Sequence, residues 1–467
     1  KLVQDVPYRD SIREPMNDFF RFQNKALISA TPIVPEKDSR FDGFMRVLIQ
    51  PDYVYRQKLK LITTNNVLET LQEVIEAKRG TVCIFCNSID SIDSFYRLIP
   101  ELSNACTFCS EDGQYKLWKG NRRKKSMMIT ELERYNFFTS RFYSAVDILC
   151  KNPPHVIFVS DLYGAAQSVI APATEAIQII GRFRGGVNSV THIASIRPEL
   201  ECMSSSEIDH WIQGASTIFN GWKSQLARTT NIGERTLLQE AIGENSYLPY
   251  LDENGKPDSF LIANFYEKEQ VKRLYTSADL LHLAYEQTGY FVFSHEERLM
   301  PVSDNERMAI QHRLAKKKRA ELIVRKLEEM EKMSRATDKK IQKRYQRMLM
   351  NLITSTADRY IYDCFCRFGA EFVREADYNE NKLRTALNVS SEHTIKKSGQ
   401  MRTYIQRAFP VGAEISVQEA KSMLRQVYKK MGLNTGRGIT TKELEQYAEI
   451  ENSRNREARM IKILKHK

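Results

Sequence analysis

Val156-Ile-Phe-Val-Ser160 and Val190-Thr-His-Ile-Ala194 are two short apolar runs rich in β-branched and aromatic residues, and a helical pattern over 173–180 separates them. Strand, helix, strand at this spacing builds a parallel sheet, because parallel neighbours need a long crossover between them. The alternation extends upstream. Thr81-Val-Cys-Ile-Phe-Cys86 reads as a buried strand, and 105–109 and 136–140 as further short ones. Val67, Leu68, Leu71, Val74 and Ile75 share one face of a 3.6-residue repeat. Thr63-Thr64 is placed to cap that helix and Gly80 to stop it; 88–98 reads as a second helix, closed by Pro100. Ala26-Leu-Ile-Ser-Ala-Thr-Pro32 is expected to open the domain as a short strand, after a charged stretch with a helix near 12–22. The pattern predicts an α/β domain with a parallel sheet over 25–200.

Beyond residue 200 helical periodicity dominates. The expected divisions are a helical domain over 201–303, a long basic helix or helical hairpin over 304–350, helices over 351–410, and a small helical module over 411–467. The basic segment holds Lys316-Lys-Lys-Arg319 and Lys339-Lys340, with apolar positions at Leu314, Leu322, Ile323, Leu327 and Met330. It reads as a solvated amphipathic helix or as an arm that tracks phosphates. In the last module Ser416/Glu419 and Thr440/Glu443 have capping-box spacing, and Gly432, Gly436 and Gly438 surround Arg437 in a turn. DNA binding and packing against a partner are equally open for it. Trp211 and Trp222 are expected to pack in the helical region.

The chain has 467 residues and a net charge of +12, which favours polyanionic partners. No apolar run approaches the ~20 residues of a membrane span. No signal peptide is visible, so a soluble, cytoplasmic protein without a membrane partner is expected. The eight cysteines do not suggest a secreted scaffold. Cys83-x2-Cys86 and Cys106-x2-Cys109 have the spacing of a zinc site, but Cys83 and Cys86 fall within a strand, where residues three apart point to opposite faces. No metal is assigned.

The chemistry-bearing stretch is Gln178-Ile-Ile-Gly181-Arg182-Phe183-Arg184-Gly185-Gly186, at the end of a predicted helix. Phosphoryl transfer needs positive charge on the γ-phosphate, and a rigid guanidinium from a neighbouring domain suits that role. Gly181 would allow close backbone packing, and Gln178 a hydrogen bond to nucleotide or to another lobe. The stretch resembles the sixth motif of superfamily 2 (DEAD/DEAH-like) helicases. Ser29-Ala30-Thr31 resembles their third motif, which couples the nucleotide and nucleic-acid sites. Residues 81–88 resemble the fourth. Phe138-Thr139-Ser140-Arg141 with Ser144-Ala-Val-Asp147 resembles the fifth. The order agrees, and the likeness covers about residues 25–195.

The resemblance implies a RecA-like second motor domain with a C-terminal helical extension. Arg182 and Arg184 would be the arginine fingers. Gln178, Gly181 and Asp147 would face nucleotide, and Asn87, Ser88, Thr139 and Ser140 the nucleic-acid backbone. Arg141 joins the last group on its charge and position. Two departures stand out: the second Arg falls two residues after the first where three is commoner, and Ala145 replaces the usual Gly of the fifth motif. No Gly-x4-Gly-Lys-Ser/Thr and no Asp-Glu-x-His/Asp run occurs. The expectation is therefore the C-terminal part of a longer motor, with 1–24 ending the first motor domain. This part should hydrolyse no ATP alone, because ATP and Mg2+ would be held mainly by that first domain. The implied partners are that RecA-like domain and nucleic acid, DNA before RNA, in replication or repair. Two rival readings are a non-enzymatic nucleic-acid-binding protein with a degenerate motor fold, and a double-stranded DNA translocase of a restriction or remodelling assembly.

Overall fold

The computed structural model describes the chain except residues 1, 7–9, 119–123, 130, 145, 253, 334–338, 434, 436, 437 and 455–457, and except the side chains at 10, 118, 124, 312, 313, 340, 341 and 344. Two compact units are present, Lys1–Met308 and Ala309–Lys467.

The first unit is built on β1 (Gln57–Thr64), β2 (Val82–Phe85), β3 (Cys106–Phe108), β4 (Lys124–Ser126), β5 (Tyr135–Phe138), β6 (His155–Ser160), β7 (Ser189–Ser195) and β8 (Phe291–Arg298). They form one sheet in the order β4-β3-β5-β2-β6-β7-β1-β8, and every neighbouring pair is parallel. The chain runs from β1 outward to the β4 edge, then returns through β5, β6 and β7 to the β8 edge. The central strands β2 and β5 are buried at all four positions, as a parallel sheet covered on both faces requires. One apolar cluster gathers Phe85, Phe138, Phe158 and Phe183. The other joins Ile84 and Ile157 to Leu71, Ile75, Ile92 and Phe95 of the helices Val67–Glu76 and Ile89–Leu98.

Several local expectations change. Thr63 and Thr64 end β1, and Asn66 caps the next helix, its side chain accepting from Glu69 N at 3.0 Å. β1 escapes an apolar-run search because Lys58 and Lys60 interrupt it. β8 falls within 201–303, the stretch expected to be helical. It is an edge strand with exposed charges, the composition that protects a sheet edge from further pairing. Residues 26–30 form no strand: they pair with no neighbour among the described residues, and Ile28 is 95% exposed. A strand needs an adjacent strand, and this segment lies against neither edge strand, β4 or β8, of the sheet. The helix expected near 12–22 shortens to Glu14–Phe19. Its Met16 packs with Val3, Val6, Phe260 and Leu261, so described residues of 1–24 form part of this unit's packing. Trp211 packs edge-on against Tyr250 and Phe265, with centroids 5.6 and 5.4 Å away.

The second unit opens with the helices Lys316–Met333, Lys339–Ser355, Arg359–Glu375 and Glu380–Lys396. The basic run at its start is ion-paired: Lys316 with Glu380, Lys317 with Asp377 (2.6 Å) and Arg319 with Asp358 (2.6 Å). These pairs favour the amphipathic structural helix over the phosphate-tracking arm. The module expected to be all-helical over 411–467 contains an antiparallel sheet of β9 (Glu414–Ser416), β10 (Ala448–Arg454) and β11 (Arg459–His466). Ile461 and Ile463 alternate inward along β11, a period-two signal in a short segment. The Thr440/Glu443 capping box opens only a six-residue 3-10 turn, Thr441–Gln446. Gly436 and Arg437 of the predicted turn lie outside the described residues.

Candidate functional site

The helix carrying the arginine motif begins irregularly. Pro172–Ala176 is one π turn, in which Ala176 N reaches back to Ala171 O at 3.0 Å, and Ile177–Ile180 continues as an α-helix. Glu175 closes the start by accepting from Ala171 N at 2.9 Å, and burial pushes its carboxyl up to about 7. At the other end the chain turns through 181–186, where Gly186 takes φ +80° and Gly186 N donates to Phe183 O at 2.9 Å. Phe183 anchors this turn by packing edge-on to Phe85 of β2, 6.1 Å between centroids.

This arrangement joins three of the sequence motifs. Gln178 Nε2 donates to Thr31 Oγ1 at 2.7 Å, and Thr31 N donates to Ser29 Oγ at 3.1 Å. Arg182 lies half-buried. Its Nε donates to Gln178 O at 2.9 Å and its Nη1 to Val146 O at 3.3 Å, while its own carbonyl accepts from Ile148 N at 2.9 Å. Arg184 is 64% exposed, and its Nε donates to Asp147 Oδ1 at 3.0 Å. The two arginines thus differ in kind. Arg182 holds the helix end to the 146–148 segment; Arg184 projects a guanidinium with one carboxylate partner and its remaining N–H groups outward.

Electrostatics follow from this. Burial lowers the Arg182 pKa, the neighbouring Arg184 charge lowers it further, and Asp147 opposes both. Two guanidinium groups share one carboxylate here, so the local excess is positive and would be relieved by an anion. Gly181 behaves less specially than its motif position suggests. Its backbone is right-handed helical (φ −62°), and a Cβ would meet Gln178 O at 3.4 Å, an ordinary contact. Among the described residues nothing demands glycine there. Ala30, between the two motif residues that bond, is exposed. Ala145 lies outside the described residues.

The second set of motif residues lies elsewhere, beyond the carboxyl ends of β2 and β5, the edge where open α/β sheets bind ligands. Ser88 is buried and caps the helix Ile89–Leu98 by accepting from Ser91 N at 3.1 Å. Asn87 is half-buried, with Nδ2 3.5 Å from Gln167 O. Thr139 is buried, and its backbone N donates to Phe108 O at 3.1 Å. Ser140 opens the 3-10 turn Ser140–Phe142, and Arg141 there is exposed. Of these five, Asn87, Ser140 and Arg141 offer side-chain groups towards solvent. Sequence reading missed Asp161, buried at the carboxyl end of β6. Its carboxylate accepts from Ser91 Oγ and from Gly164 N, both at 3.0 Å, and leaves no room for a Cβ on Gly164. An acidic residue closing an apolar strand was the available signal.

The cysteines separate. Cys83 and Cys106 belong to one apolar cluster and Cys86 to the other, on opposite faces of the sheet, so the four cannot share one ion. Among the described residues no group of three or more His, Cys, Asp and Glu is placed to hold a metal, and no helix is long and apolar enough to cross a membrane. No protein-family model matches the chain, and no curated protein matches it.

Proposed function

We propose that this chain is the second motor lobe of an ATP-dependent superfamily 2 helicase or translocase, joined to a further nucleic-acid-binding region and working in the cytoplasm. The observation that carries the reading is the convergence at Gln178: one residue of the arginine motif bonds Thr31 of the Ser-Ala-Thr motif, while Arg182 and Arg184 hold the Val146–Asp147 segment. Three motifs chosen for their likeness to one family meet through side chains, although nothing in their spacing requires it.

ATP and Mg2+ would be bound mainly by a phosphate-binding lobe whose motifs are absent from this sequence. That lobe would supply the phosphoryl chemistry. The residues here fit a polyphosphate, because the Arg182–Arg184 pair carries more positive charge than Asp147 neutralises. Arg184 is the finger: it places a fork of N–H donors at the surface, where a guanidinium can offset charge developing on a transferred phosphoryl group. Arg182 is its positioning residue, fixing the turn from which Arg184 projects. Thr31 and Gln178 link this turn to the segment beside the missing lobe, so a change in nucleotide state would be felt at both. Asn87, Ser140 and Arg141 provide the nucleic-acid side, with DNA favoured as the substrate.

The test is ATP turnover by the full-length protein that includes the phosphate-binding lobe. Arg184→Ala should lower kcat by about 10³-fold or more, and Arg184→Lys should not restore it, because an ammonium cannot reproduce the planar fork. Parental turnover by Arg184→Ala overturns the finger assignment.

A further inference from the structure

Residues 399–467 carry 14 Lys and Arg against 7 Asp and Glu, a net +7 of the chain's +12. Their fold has a definite order: helix Gly399–Ala408, strand β9, helix Val417–Lys430, 3-10 turn Thr441–Gln446, then the hairpin β10–β11. In the sheet β11 is central, with β10 on one side and β9 on the other. This is the order and pairing of a winged helix-turn-helix, in which the last short helix precedes a hairpin wing. The module has its own core, with Leu424, Val427 and Tyr428 packed on Leu444, Ile461 and Ile463. Topology alone does not assign a function; the placement of charge supplies the rest.

Glu443 is the acidic residue of the short helix that faces its neighbours. It accepts from Lys396 Nζ and from Tyr428 OH, each at 2.9 Å. Lys442, Glu445 and Gln446 are exposed beside it, and Lys442 has no partner among the described residues. Along the hairpin the charges follow a rule and then break it. Glu449 faces Lys465 and Glu451 faces Lys462, opposite charges in register. At the outer rung Arg454 faces Arg459, both exposed. Like charges directly opposite on a ladder destabilise it, and a phosphate between them would remove the repulsion.

We propose that this module is a second nucleic-acid site that binds double-stranded DNA, the Thr441–Gln446 turn facing a groove and Arg454 and Arg459 gripping the adjacent backbone. A short helix suits the wide major groove of B-form DNA, whereas the A-form major groove is too deep and narrow to admit it. The site lies in the second unit and does not depend on the motor reading of the first.

The experiment uses the whole 467-residue chain and fluorescence anisotropy with three probes of matched sequence: duplex DNA, duplex RNA and single-stranded DNA. Arg454→Glu should weaken duplex DNA binding about tenfold and reduce the salt slope by about 1. Lys442→Glu should act similarly. Thermal stability should not fall with Arg454→Glu, because the substitution turns a repulsive rung into an attractive one. That sign separates lost contact from lost fold. Duplex DNA affinity within twofold of the parent for both variants overturns the proposal. So does an equal loss on the single strand, or parental binding as tight to duplex RNA as to duplex DNA. Arg141→Glu, on the first unit, probes the motor track separately and should act on the single strand.

Discussion

Truncating Arg182 and truncating Arg184 should have unequal consequences for stability, and the size of each follows from its bonds. Arg182→Ala removes a 2.9 Å charged hydrogen bond to Gln178 O and a longer 3.3 Å bond to Val146 O. A hydrogen bond from a charged group contributes about 1.5–3 kcal/mol net, less at the longer distance and where water can replace it, so a loss of about 2 kcal/mol is expected. Arg184→Ala removes one bond between exposed partners, and such pairs contribute about 0.2–1 kcal/mol. All three tryptophans, Trp118, Trp211 and Trp222, lie in the first unit, so selectively excited tryptophan fluorescence follows its unfolding. At about 2 °C per kcal/mol for a unit of this size, Arg182→Ala should lower the midpoint by about 4 °C and Arg184→Ala by about 1 °C. On the proposed motor reading the ranking for direct action on phosphate reverses, since Arg184 is the more exposed of the two. An Arg182→Ala midpoint within error of the parent, or an Arg184→Ala loss equal to it, would refute the division of roles.

Two further outcomes are expected. Gly181→Ala should leave thermal stability unchanged within error, because the backbone there is helical and a Cβ finds only ordinary contacts; a large loss would show a packing demand not present in this chain. Glu175→Gln should stabilise at alkaline pH. Burial, with Glu267 and Asp5 nearby and Lys268 opposing, raises the carboxyl from 4.5 to about 7, so its contribution is fully present below pH 4.5 and lost as pH rises through 7. The substitution should therefore raise stability by about 1–2 kcal/mol at pH 8 after allowing for partial solvent screening, and change nothing near pH 4. A urea melt at both pH values checks this, and equal effects at the two would contradict the assignment.

The legible parts of the fold were those where one physical signal dominates. β2 and β6 carry continuous apolar runs because both faces of a central parallel strand are covered, and β5 and β7 are mostly apolar, with Asn136, Thr191 and His192 as buried polar positions. β1 and β8 were not legible. Lys58 and Lys60 break the first run, and Glu296, Glu297 and Arg298 belong to an edge whose charges resemble those of a surface helix. Residues 26–30 show the converse: their composition suits a strand, yet propensity cannot supply a neighbour. The capping box at Thr440 was read correctly as a helix start, but it bears on the first turn only and is silent on whether six residues or sixteen follow.

At the site the same limit takes a sharper form. The bond from Gln178 to Thr31 spans 147 positions, and no local pattern encodes it. Motif likeness selected polar residues at the carboxyl ends of strands, but helices also begin there and need polar caps. Ser88 satisfies both descriptions, and the geometry shows its oxygen already accepting from Ser91 N. A polar residue after a strand is thus ambiguous until its hydrogen bonds are counted. Arg141 escapes the ambiguity, because an arginine cannot accept from a free helix amide, and its exposure leaves the guanidinium available. Charge rather than polarity is the more discriminating sign at this edge. For that reason the weight of any nucleic-acid track on the first unit rests on Arg141 before it rests on Ser88 or Thr139.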